Sequence, residues 1–354
     1  MKNICFFINT LAAAGGTQRV LTSLVNLIVN NYNVTIIILD SKAPFFDIDS
    51  KANIKTIRPK KSIKILSLIK LNILIYQELK LNSCDYYISL DSNSVLMQSL
   101  LLPIKTKLIV WEHFSLSKNY NKKLYRVSRY YASKRAYKFV LLSKEEVRSW
   151  QNKYNIPSNK LAQIYNPITI EENIDSLEVD LYKNKKILAI GNNIYIKGFD
   201  YLIESWSLIE KNDWTLEIVG LPEKEQEKLK NLIKKFKIEN EVIINGRISN
   251  IKEKYLESSI YCLCSRMEAT PLVLIESQHL GLPAIVFDNC EGPLELLDDS
   301  GLIVNFEDVI QYKDAISKLM NSKPMYEKMS INAKKNSQRF NNDTFYRKWC
   351  EILN

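Results

Sequence analysis

Two glutamates carry the clearest chemical signal in this sequence. Glu268 and Glu276 lie eight residues apart, with Thr270 and Pro271 between them. Because proline suits the first turn of a helix, the pattern predicts a helix over residues 272–281 and places Glu268 in the loop before it. Glu276 then projects from an apolar part of that helix, where a carboxylate needs hydrogen-bond donors such as sugar hydroxyls. For Glu276 alone, an exposed position on an ordinary helix is also open.

A lysine at the start of a helix is the second signal. A predicted strand ends at Gly191, and Lys197-Gly198 follows after a short loop, directly before an amphipathic helical pattern. The positive end of the helix dipole disfavours a cation there unless an anion lies between them. These features predict a diphosphate site, although a lysine near a helix start is also common without such a role.

A third signal lies near the N-terminus. A predicted strand leads into Gly15-Gly16, and a helix begins directly afterwards, so backbone N–H groups are available for a phosphate. The turn differs from the G-x-G-x-x-G pattern of dinucleotide-binding proteins, and a tight turn without a ligand is an equally good interpretation. The first residues also imitate a signal peptide, but Asn9 and Thr10 interrupt the apolar run and favour an internal strand.

Alternating strands and helices must position these residues. Short β-rich runs are separated by longer helical patterns along the whole chain, which predicts parallel sheets covered by helices on both faces. The predicted strands span residues 3–9, 33–39, 53–57, 85–90, 107–112, 138–142, 186–191, 215–219, 241–245, 260–264, 284–287 and 302–304.

The length of the chain and a break near Pro167 predict two domains. A chain of 354 residues exceeds one ordinary core, and residues 171–185 are polar and without a pattern. We predict an α/β fold of two Rossmann-like, doubly wound domains, residues 1–167 and 168–335, facing each other across a deep cleft. A C-terminal helical segment, 336–354, is expected to pack back towards the N-terminal domain. Ligands of open parallel sheets bind beyond the carboxyl ends of the strands, so one shared site is expected.

Positive charge is concentrated in the first half. Residues 1–167 contain 25 lysines and arginines against 9 aspartates and glutamates, whereas the remainder contains 24 against 30. Such asymmetry predicts that the first half meets an anionic surface. The segment 118–148 combines ten basic residues with five tyrosines, and the helical pattern 63–80 can belong to the same surface. The candidate membrane contacts are Lys122, Lys123, Arg126, Arg129 and Lys134.

An anionic membrane leaflet fits this basic face best. Basic residues attract anionic lipids and tyrosine suits headgroup depth, whereas no nucleic-acid motif accompanies the charge. A solvated helix face is the ordinary alternative. The apolar stretch in residues 63–75 is broken by lysines and is too short to span a bilayer, so no transmembrane helix is expected.

Several short motifs together resemble one enzyme family. They are a GG-x-x-R turn (Gly15, Gly16, Arg19), an E-H pair after a strand (Glu112, His113), N-P at the domain joint (Asn166, Pro167), K-G (Lys197, Gly198), and E-x7-E followed by G-x-P (Glu268, Glu276, Gly281, Pro283). Their order and spacing across nearly the whole chain resemble those of the retaining glycosyltransferases of family 4, which have the GT-B fold.

The resemblance implies a role for each motif residue. Glu268 would bind donor-sugar hydroxyls and face the positive charge that develops at the anomeric carbon, and Glu276 would bind the ribose. Lys197 would neutralise the diphosphate, Gly16 would offer its N–H to a phosphate, and His113 would face the sugar. The remaining implied donor contacts are Asn192, Arg247, Thr270, Pro271, Leu272 and Val273, and the implied acceptor-side residues are Gly15, Arg19 and Glu112.

The chain departs from the family at the diphosphate site. Family members usually have G-R ahead of the K-G, and here Asn192 stands in place of the arginine. Arg247 and Arg266, both predicted near strand ends in the second domain, are candidates to replace that charge; otherwise the leaving group is held more weakly. Residue 269 is alanine where glycine is commoner.

Metal-binding patterns are weak. The six cysteines include no C-x-x-C pair, and the only two histidines, His113 and His279, lie far apart. Asp47 and Asp49 have the D-x-D spacing of metal-dependent sugar transferases, but no further ligand pattern accompanies them. We therefore expect reduced thiols, no metal and no other cofactor.

The predicted function is retaining, metal-independent transfer of a hexose or N-acetylhexosamine from a nucleotide-sugar, by resemblance a UDP-sugar. The acceptor would be a lipid-diphosphate-linked glycan of surface polysaccharide synthesis, such as O-antigen or capsule. We expect a cytoplasmic protein held peripherally at the inner face of the cytoplasmic membrane. Two alternatives are a UDP-sugar epimerase of the same architecture, which needs no acceptor, and a nucleic-acid-binding protein using the basic half, which leaves the two glutamates unexplained.

Overall fold

The computed structural model describes residues 1–58, 64–116, 123–170, 180–248 and 250–354. The chain divides into two compact units: unit 1 comprises Met1–Thr169 and Asn342–Asn354, and unit 2 comprises Ile170–Asn341. The boundaries predicted from the sequence lie at residues 167 and 335.

A parallel sheet of seven strands forms the centre of unit 1. The strands are β1 (Asn3–Phe7), β2 (Asn33–Ile38), β3 (Asn53–Thr56), β4 (Tyr86–Ser89), β5 (Lys107–Trp111), β6 (Lys138–Leu141) and β7 (Leu161–Gln163). They lie in the order β3-β2-β1-β4-β5-β6-β7, and every neighbouring pair is parallel. The order reverses between β1 and β4, as in Rossmann-like sheets.

Helices cover both faces of this sheet. They are α1 (Gly16–Ile28), α2 (Lys64–Leu81), α3 (Val95–Gln98), α4 (Lys123–Arg135) and α5 (Lys144–Tyr154). On one face, apolar residues of α2, α4 and α5, such as Ile75, Ala132 and Trp150, form one buried cluster with Val110 of β5. Since successive side chains of a strand point to opposite faces, Trp111 faces the other side.

Unit 2 repeats the architecture with six parallel strands. They are β8 (Lys186–Ile190), β9 (Thr215–Val219), β10 (Val242–Asn245), β11 (Ile260–Leu263), β12 (Ala284–Phe287) and β13 (Gly301–Val304), in the order β10-β9-β8-β11-β12-β13. Its helices are α6 (Ile194–Lys197), α7 (Phe199–Ser207), α8 (Glu223–Phe236), α9 (Ile251–Leu256), α10 (Leu272–His279), α11 (Glu291–Leu297), α12 (Val309–Asn321) and α13 (Lys323–Ser337). Here the order reverses between β8 and β11, so the loops after these two strands are the expected ligand site.

The last helix, α14 (Asn342–Leu353), belongs to unit 1. Its Trp349 ring packs 4.7 Å from that of Trp111. The Lys2 ammonium group donates to the carbonyl oxygens of Leu353 and Asn354, at 3.0 and 2.8 Å. α14 thus covers the sheet face opposite to α2, α4 and α5.

Candidate active site

The turn after β8 presents Lys197 at the carboxyl edge of the second sheet. The Asn193 side chain begins α6 by accepting a hydrogen bond of 2.8 Å from the Ile196 N–H. α6 is a single turn, and Gly198 ends it in the left-handed conformation, with a φ of +65°. A Cβ at Gly198 would lie 1.8 Å from the Cys264 carbonyl oxygen, so only glycine lets this turn approach the end of β11.

Lys197 and Glu268 form a close ion pair beyond the ends of β8 and β11. The Lys197 Nζ lies 2.6 Å from the Glu268 Oε1, and the Ser265 hydroxyl donates to the same oxygen at 2.8 Å. The side chains of Lys197 and Glu268 are only 19% and 11% exposed, so the interaction is poorly screened by water. The pair brings one cation able to bind an anion beside one carboxylate able to accept hydrogen bonds from hydroxyls.

Glu276 is fully buried on α10. The Tyr255 hydroxyl of α9 lies 2.9 Å from its Oε2 and 3.2 Å from the carbonyl oxygen of Val273. Burial excludes the alternative interpretation of Glu276 as an exposed residue on an ordinary helix. α10 begins at Leu272 and ends at His279, two residues earlier than predicted.

The loop that carries Glu268 is held from several sides. Thr270, Pro271 and Leu272 are buried at the start of α10, and Val273 is half-buried. The Asn289 side chain donates to the carbonyl oxygens of Ser265 and Arg266, at 3.3 and 3.0 Å. The implied donor contacts at 270–273 therefore lie on a fixed segment next to the ion pair.

Arg266 is neutralised by an aspartate that the sequence analysis did not single out. Its two terminal nitrogens donate to the Asp200 carboxylate at 2.7 and 2.6 Å, and its guanidinium group stacks 3.9 Å from the centre of the Tyr201 ring. The hydrogen bonds to Asp200 raise the pKa of Arg266 further. Arg266 is therefore not a free replacement for the missing family arginine.

Arg266 instead connects the two loops of the site. Its backbone N–H donates to the Ile196 carbonyl oxygen at 2.9 Å, and its Nη1 donates to that of Tyr195 at 2.7 Å. Both acceptors belong to α6, the turn that presents Lys197. Asn192 and Arg247 are exposed, after β8 and β10 respectively.

In unit 1, Glu112 and His113 lie at the end of β5. The Glu112 carboxylate is buried and accepts hydrogen bonds from the Ser92 N–H at 3.2 Å and the Phe114 N–H at 3.0 Å. Burial, followed by the charge of Asp91, raises the pKa of Glu112 to about 8. The His113 ring is half-buried, 4.6 Å from that of Trp111, and burial lowers the pKa of His113 to about 3, so the imidazole is neutral.

The predicted glycine turn lies where α1 begins. Gly15 has an extended backbone and accepts a hydrogen bond of 3.1 Å from the Arg19 N–H, and Gly16 is exposed at the first position of the helix. The Arg19 guanidinium lies 5.7 Å from the centre of the Phe46 ring.

The prediction that Arg129 contacts a membrane is wrong. Arg129 is buried, donates from Nη1 to the Leu116 carbonyl oxygen at 3.3 Å, and lies 5.8 Å from the Trp150 ring. It shares the inner face of α4 with Ala132, because helical position outweighs charge here. The other predicted contacts on α4, Lys123, Arg126 and Lys134, are exposed, and Lys122 lies outside the described residues.

Metal ligands do not cluster in the part of the chain that the structure describes. Among those residues, no group of three or more histidine, cysteine, aspartate or glutamate side chains is arranged so that it could hold a metal ion. Asp49 of the D-x-D tripeptide accepts a hydrogen bond of 2.9 Å from the Lys51 N–H. None of the described helices has both the length and the apolar character needed to cross a membrane.

Comparisons with known proteins give the family. Residues 171–336 match the family model described as glycosyl transferases group 1. The chain is 33% identical over 362 residues to an uncharacterised glycosyltransferase of Haemophilus influenzae, covering 100% of both chains. It is 28% identical to the amylovoran biosynthesis glycosyltransferase AmsD of Erwinia amylovora, again over 100% of both chains.

A third relative and one solved structure extend the comparison. The GalNAc-α-(1→4)-GalNAc-α-(1→3)-diNAcBac-PP-undecaprenol α-1,4-N-acetyl-D-galactosaminyltransferase of Campylobacter jejuni is 25% identical, with 100% of this chain and 98% of the relative covered. A variant of TarM from S. aureus, crystallised with fondaparinux, α-GlcNAc-glycerol and UDP, superposes with a TM-score of 0.86 at 13% identity, over 100% of both chains. The full-length identity of 33% shows the family, and the chain belongs to the group 1 glycosyltransferases, with their GT-B fold.

Proposed function

We propose that this glycosyltransferase is a retaining enzyme that moves a hexose or N-acetylhexosamine from a UDP-sugar to a lipid-diphosphate-linked glycan in surface polysaccharide synthesis. One observation carries the proposal: the Lys197 ammonium and the Glu268 carboxylate meet at 2.6 Å beyond the strands where the sheet order reverses. In a nucleotide-sugar the diphosphate is bonded directly to the sugar ring. Its site therefore needs a cation for the diphosphate and, close to it, a hydrogen-bond acceptor for the sugar hydroxyls.

The pair supports a stepwise exchange of partners when a donor binds. Lys197 leaves Glu268 for the diphosphate and neutralises the charge that grows on it as the glycosidic bond breaks. The freed Glu268 carboxylate accepts hydrogen bonds from the sugar hydroxyls and faces the positive charge that develops at the anomeric carbon. The incoming hydroxyl oxygen bonds to the anomeric carbon on the face that the phosphate leaves, and the donor's own phosphate oxygen takes the hydroxyl proton. Because Lys197 neutralises the charge on the diphosphate, we expect these steps to need no metal.

Other predicted residues complete the proposed donor site. Glu276 accepts a hydrogen bond from the ribose, beside the one from Tyr255, and the backbone at 270–273 contacts the sugar or a phosphate. For unit 1, the family resemblance assigns the Gly16 N–H to a phosphate contact and His113, a neutral imidazole, to a sugar contact. Gly15, Arg19 and Glu112 are assigned to the acceptor side.

The named relatives support the choice of substrates. TarM was crystallised with UDP, the C. jejuni relative is named for an acceptor on undecaprenyl diphosphate, and the E. amylovora relative is named for amylovoran biosynthesis. With a lipid-linked acceptor, we expect the enzyme to act at the inner face of the cytoplasmic membrane. No specific observation among the described residues favours the epimerase or the nucleic-acid alternative.

The proposal is tested with Glu268→Gln and Lys197→Met in purified protein. A panel of nucleotide-sugars is first ranked by thermal shift, since a ligand that binds the folded state raises Tm. Turnover is then measured as UDP release in the presence of a synthetic lipid-diphosphate glycan. Each variant should lose about 100-fold to 1,000-fold in kcat, as for other charge-stabilising groups, while remaining folded.

A matched control is Lys323→Met in the same unit. Lys323 also forms an ion pair, 3.1 Å from Asp180, but on the surface and away from the strand ends of the site. The Lys323→Met variant should retain full activity. Near-native turnover of either site variant refutes the assignment, and a product of inverted anomeric configuration by NMR refutes the retaining mechanism.

A further inference from the structure

Three neighbouring segments of unit 1 expose large apolar side chains. They are α2, the connection between α3 and β5, and α4. Apart from Leu81 at the C-terminal end of α2, nine of their large apolar side chains are at least 41% exposed: Leu66, Ile69, Ile73, Leu100, Leu101, Ile104, Leu124, Val127 and Tyr130. We call this set the apolar face. Large exposed apolar patches on proteins mark interaction sites.

The apolar residues of α2 form a stripe that points away from the core. Leu66, Ile69 and Ile73 are spaced by three and four residues, so they share one side of the helix. Residues Ile75 and Leu79 are buried on the opposite side. α2 therefore carries apolar side chains on both its inner and its outer side, and in the part of the chain that the structure describes the outer ones are exposed.

The outer side of α4 has the same character. Leu124, Val127 and Tyr130 are exposed at spacings of three residues, whereas Ser128 and Ala132 are buried beneath them. α2 and α4 pack on the same face of the sheet, so both stripes point away from it in a similar direction.

Hydrogen bonds join the three segments into one surface. The Asn72 side chain of α2 donates to the Met97 carbonyl oxygen at 2.8 Å and accepts from the Leu100 N–H at 2.8 Å. On the other side, the Tyr131 hydroxyl of α4 donates to the Ser99 carbonyl oxygen at 3.1 Å. The connection that carries Leu100 is therefore held between the two helices.

Apart from Glu78 near the end of α2, the segments that carry the apolar face contain basic but no acidic residues. Residues 64–77, 99–107 and 123–135 contain no aspartate or glutamate. Their exposed basic residues include Lys70, Lys105, Lys123, Arg126 and Lys134. An apolar centre with a basic surround is complementary to a bilayer surface, in which anionic phosphates cover acyl chains.

We propose that the apolar face inserts into the headgroup and upper acyl region of an anionic leaflet, with the basic residues at the lipid phosphates. The proposal deepens the proposed function, since it rests on an acceptor that resides in a membrane. It differs from attachment by charge alone, because insertion of apolar side chains resists salt.

The test is binding of the full chain to sedimenting vesicles, without any turnover. Vesicles of phosphatidylcholine are compared with vesicles in which phosphatidylglycerol replaces about a third of the lipid. Each basic residue near an anionic surface contributes about fivefold in partitioning, so binding should be much stronger to the anionic vesicles. At about 1 M salt, where the Debye length falls to about 3 Å, a substantial fraction should stay bound.

The decisive variants place a charge in the apolar face. Ile69→Glu and Val127→Glu should each reduce binding to anionic vesicles at least tenfold at both salt concentrations. Ile331→Glu is the matched control, because Ile331 is 67% exposed on α13 of unit 2. This variant should bind vesicles as the wild type does. All three should keep the wild-type Tm and wild-type activity on a water-soluble acceptor analogue, so a failure of the proposed function is recognised separately.

Two results overturn the inference. Binding that high salt abolishes and that Val127→Glu leaves unchanged shows attachment by charge alone. Absence of vesicle binding, with self-association that Val127→Glu prevents, shows that the apolar face is an interface between copies of this chain.

Discussion

The substitution Gly191→Ala tests whether the position of the Lys197 ammonium group governs donor binding. Gly191 follows β8, and a Cβ built there would lie 2.4 Å from Cγ of Lys197 and 3.1 Å from Cζ of Phe199. Ordinary carbon–carbon contacts are about 3.5–4.0 Å. The alanine methyl group therefore pushes the lysine side chain aside by about 1 Å or more, without changing any charged residue.

The size of the effect follows from the ion-pair distance. A displacement of that size moves the Lys197 Nζ from 2.6 Å to about 3.5 Å or more from its partner, the limit of a hydrogen bond. A hydrogen bond to a charged group contributes about 1.5–3 kcal/mol, so affinity for UDP should fall about 10-fold to 150-fold. Crowding of this kind costs about 1–3 kcal/mol of folding free energy, or a Tm lower by about 2–12 °C for a unit of this size.

Calorimetric titration with UDP, below the unfolding range, measures the change. Gly246→Ala is the control: its Cβ would meet first the flexible end of Gln226, at 3.2 Å, so affinity should be unchanged. In a double-mutant cycle, adding Gly191→Ala to Lys197→Met should lower the affinity for UDP little further, because both substitutions remove the same contact. A folded Gly191→Ala protein that binds UDP within about twofold of wild type refutes the reasoning.

Two further predictions concern buried charge in the two units. Arg266→Lys keeps the positive charge but loses the paired hydrogen bonds to Asp200 and the hydrogen bond to Tyr195, so α6 should be held less firmly. We expect kcat to fall about tenfold with little change in KM, and wild-type kinetics in the variant would contradict this positioning role. The pKa of Glu112 is raised to about 8, so the stability that its proton confers is present below about pH 4.5 and is lost as the pH rises through 8. Glu112→Gln mimics the neutral acid and should therefore remove that loss of stability. The free energy of unfolding in urea is measured for variant and wild type across this pH range, and a constant difference between the two would show that the carboxyl is already ionised.

The elements were predictable where hydrophobic patterning is strong. β8 was expected over 186–191 and spans Lys186–Ile190, because an apolar run buried on both faces gives a clear signal. β7 spans only Leu161–Gln163, and all three residues are half-buried, so neither alternation nor an apolar run defines it. The predicted end of α10 was two residues late, because Gly281 has a φ of +81° and a helix cannot continue through it.

The site was predictable in its motif residues but not in their partners. The motifs around Lys197 and Glu268 indicate a role for each and a shared ligand, yet their direct contact depends on β8 and β11 being neighbours, which no local pattern records. The same holds for the bond between Arg266 and Asp200. Arg129 was expected at the surface because of its residue type, but its helical position faces inward, where the Leu116 carbonyl oxygen and the Trp150 ring are its partners.

Because Asn192 replaces the usual arginine, one side chain is left to neutralise the diphosphate in the proposed site. Asn192 carries no charge, Arg266 is held by Asp200, and Arg247 follows β10, two strands away from β8 in the sheet. Of these positions and Lys197, only the Lys197 ammonium lies against Glu268, and Glu268 already neutralises it in the protein alone. A donor must therefore exchange Glu268 for its diphosphate at the lysine, so the complete UDP-sugar, which also engages Glu268, is expected to bind more tightly than free UDP. In the proposed mechanism the sugar engages Glu268 and releases Lys197 for the diphosphate, so the two halves of the donor should bind cooperatively.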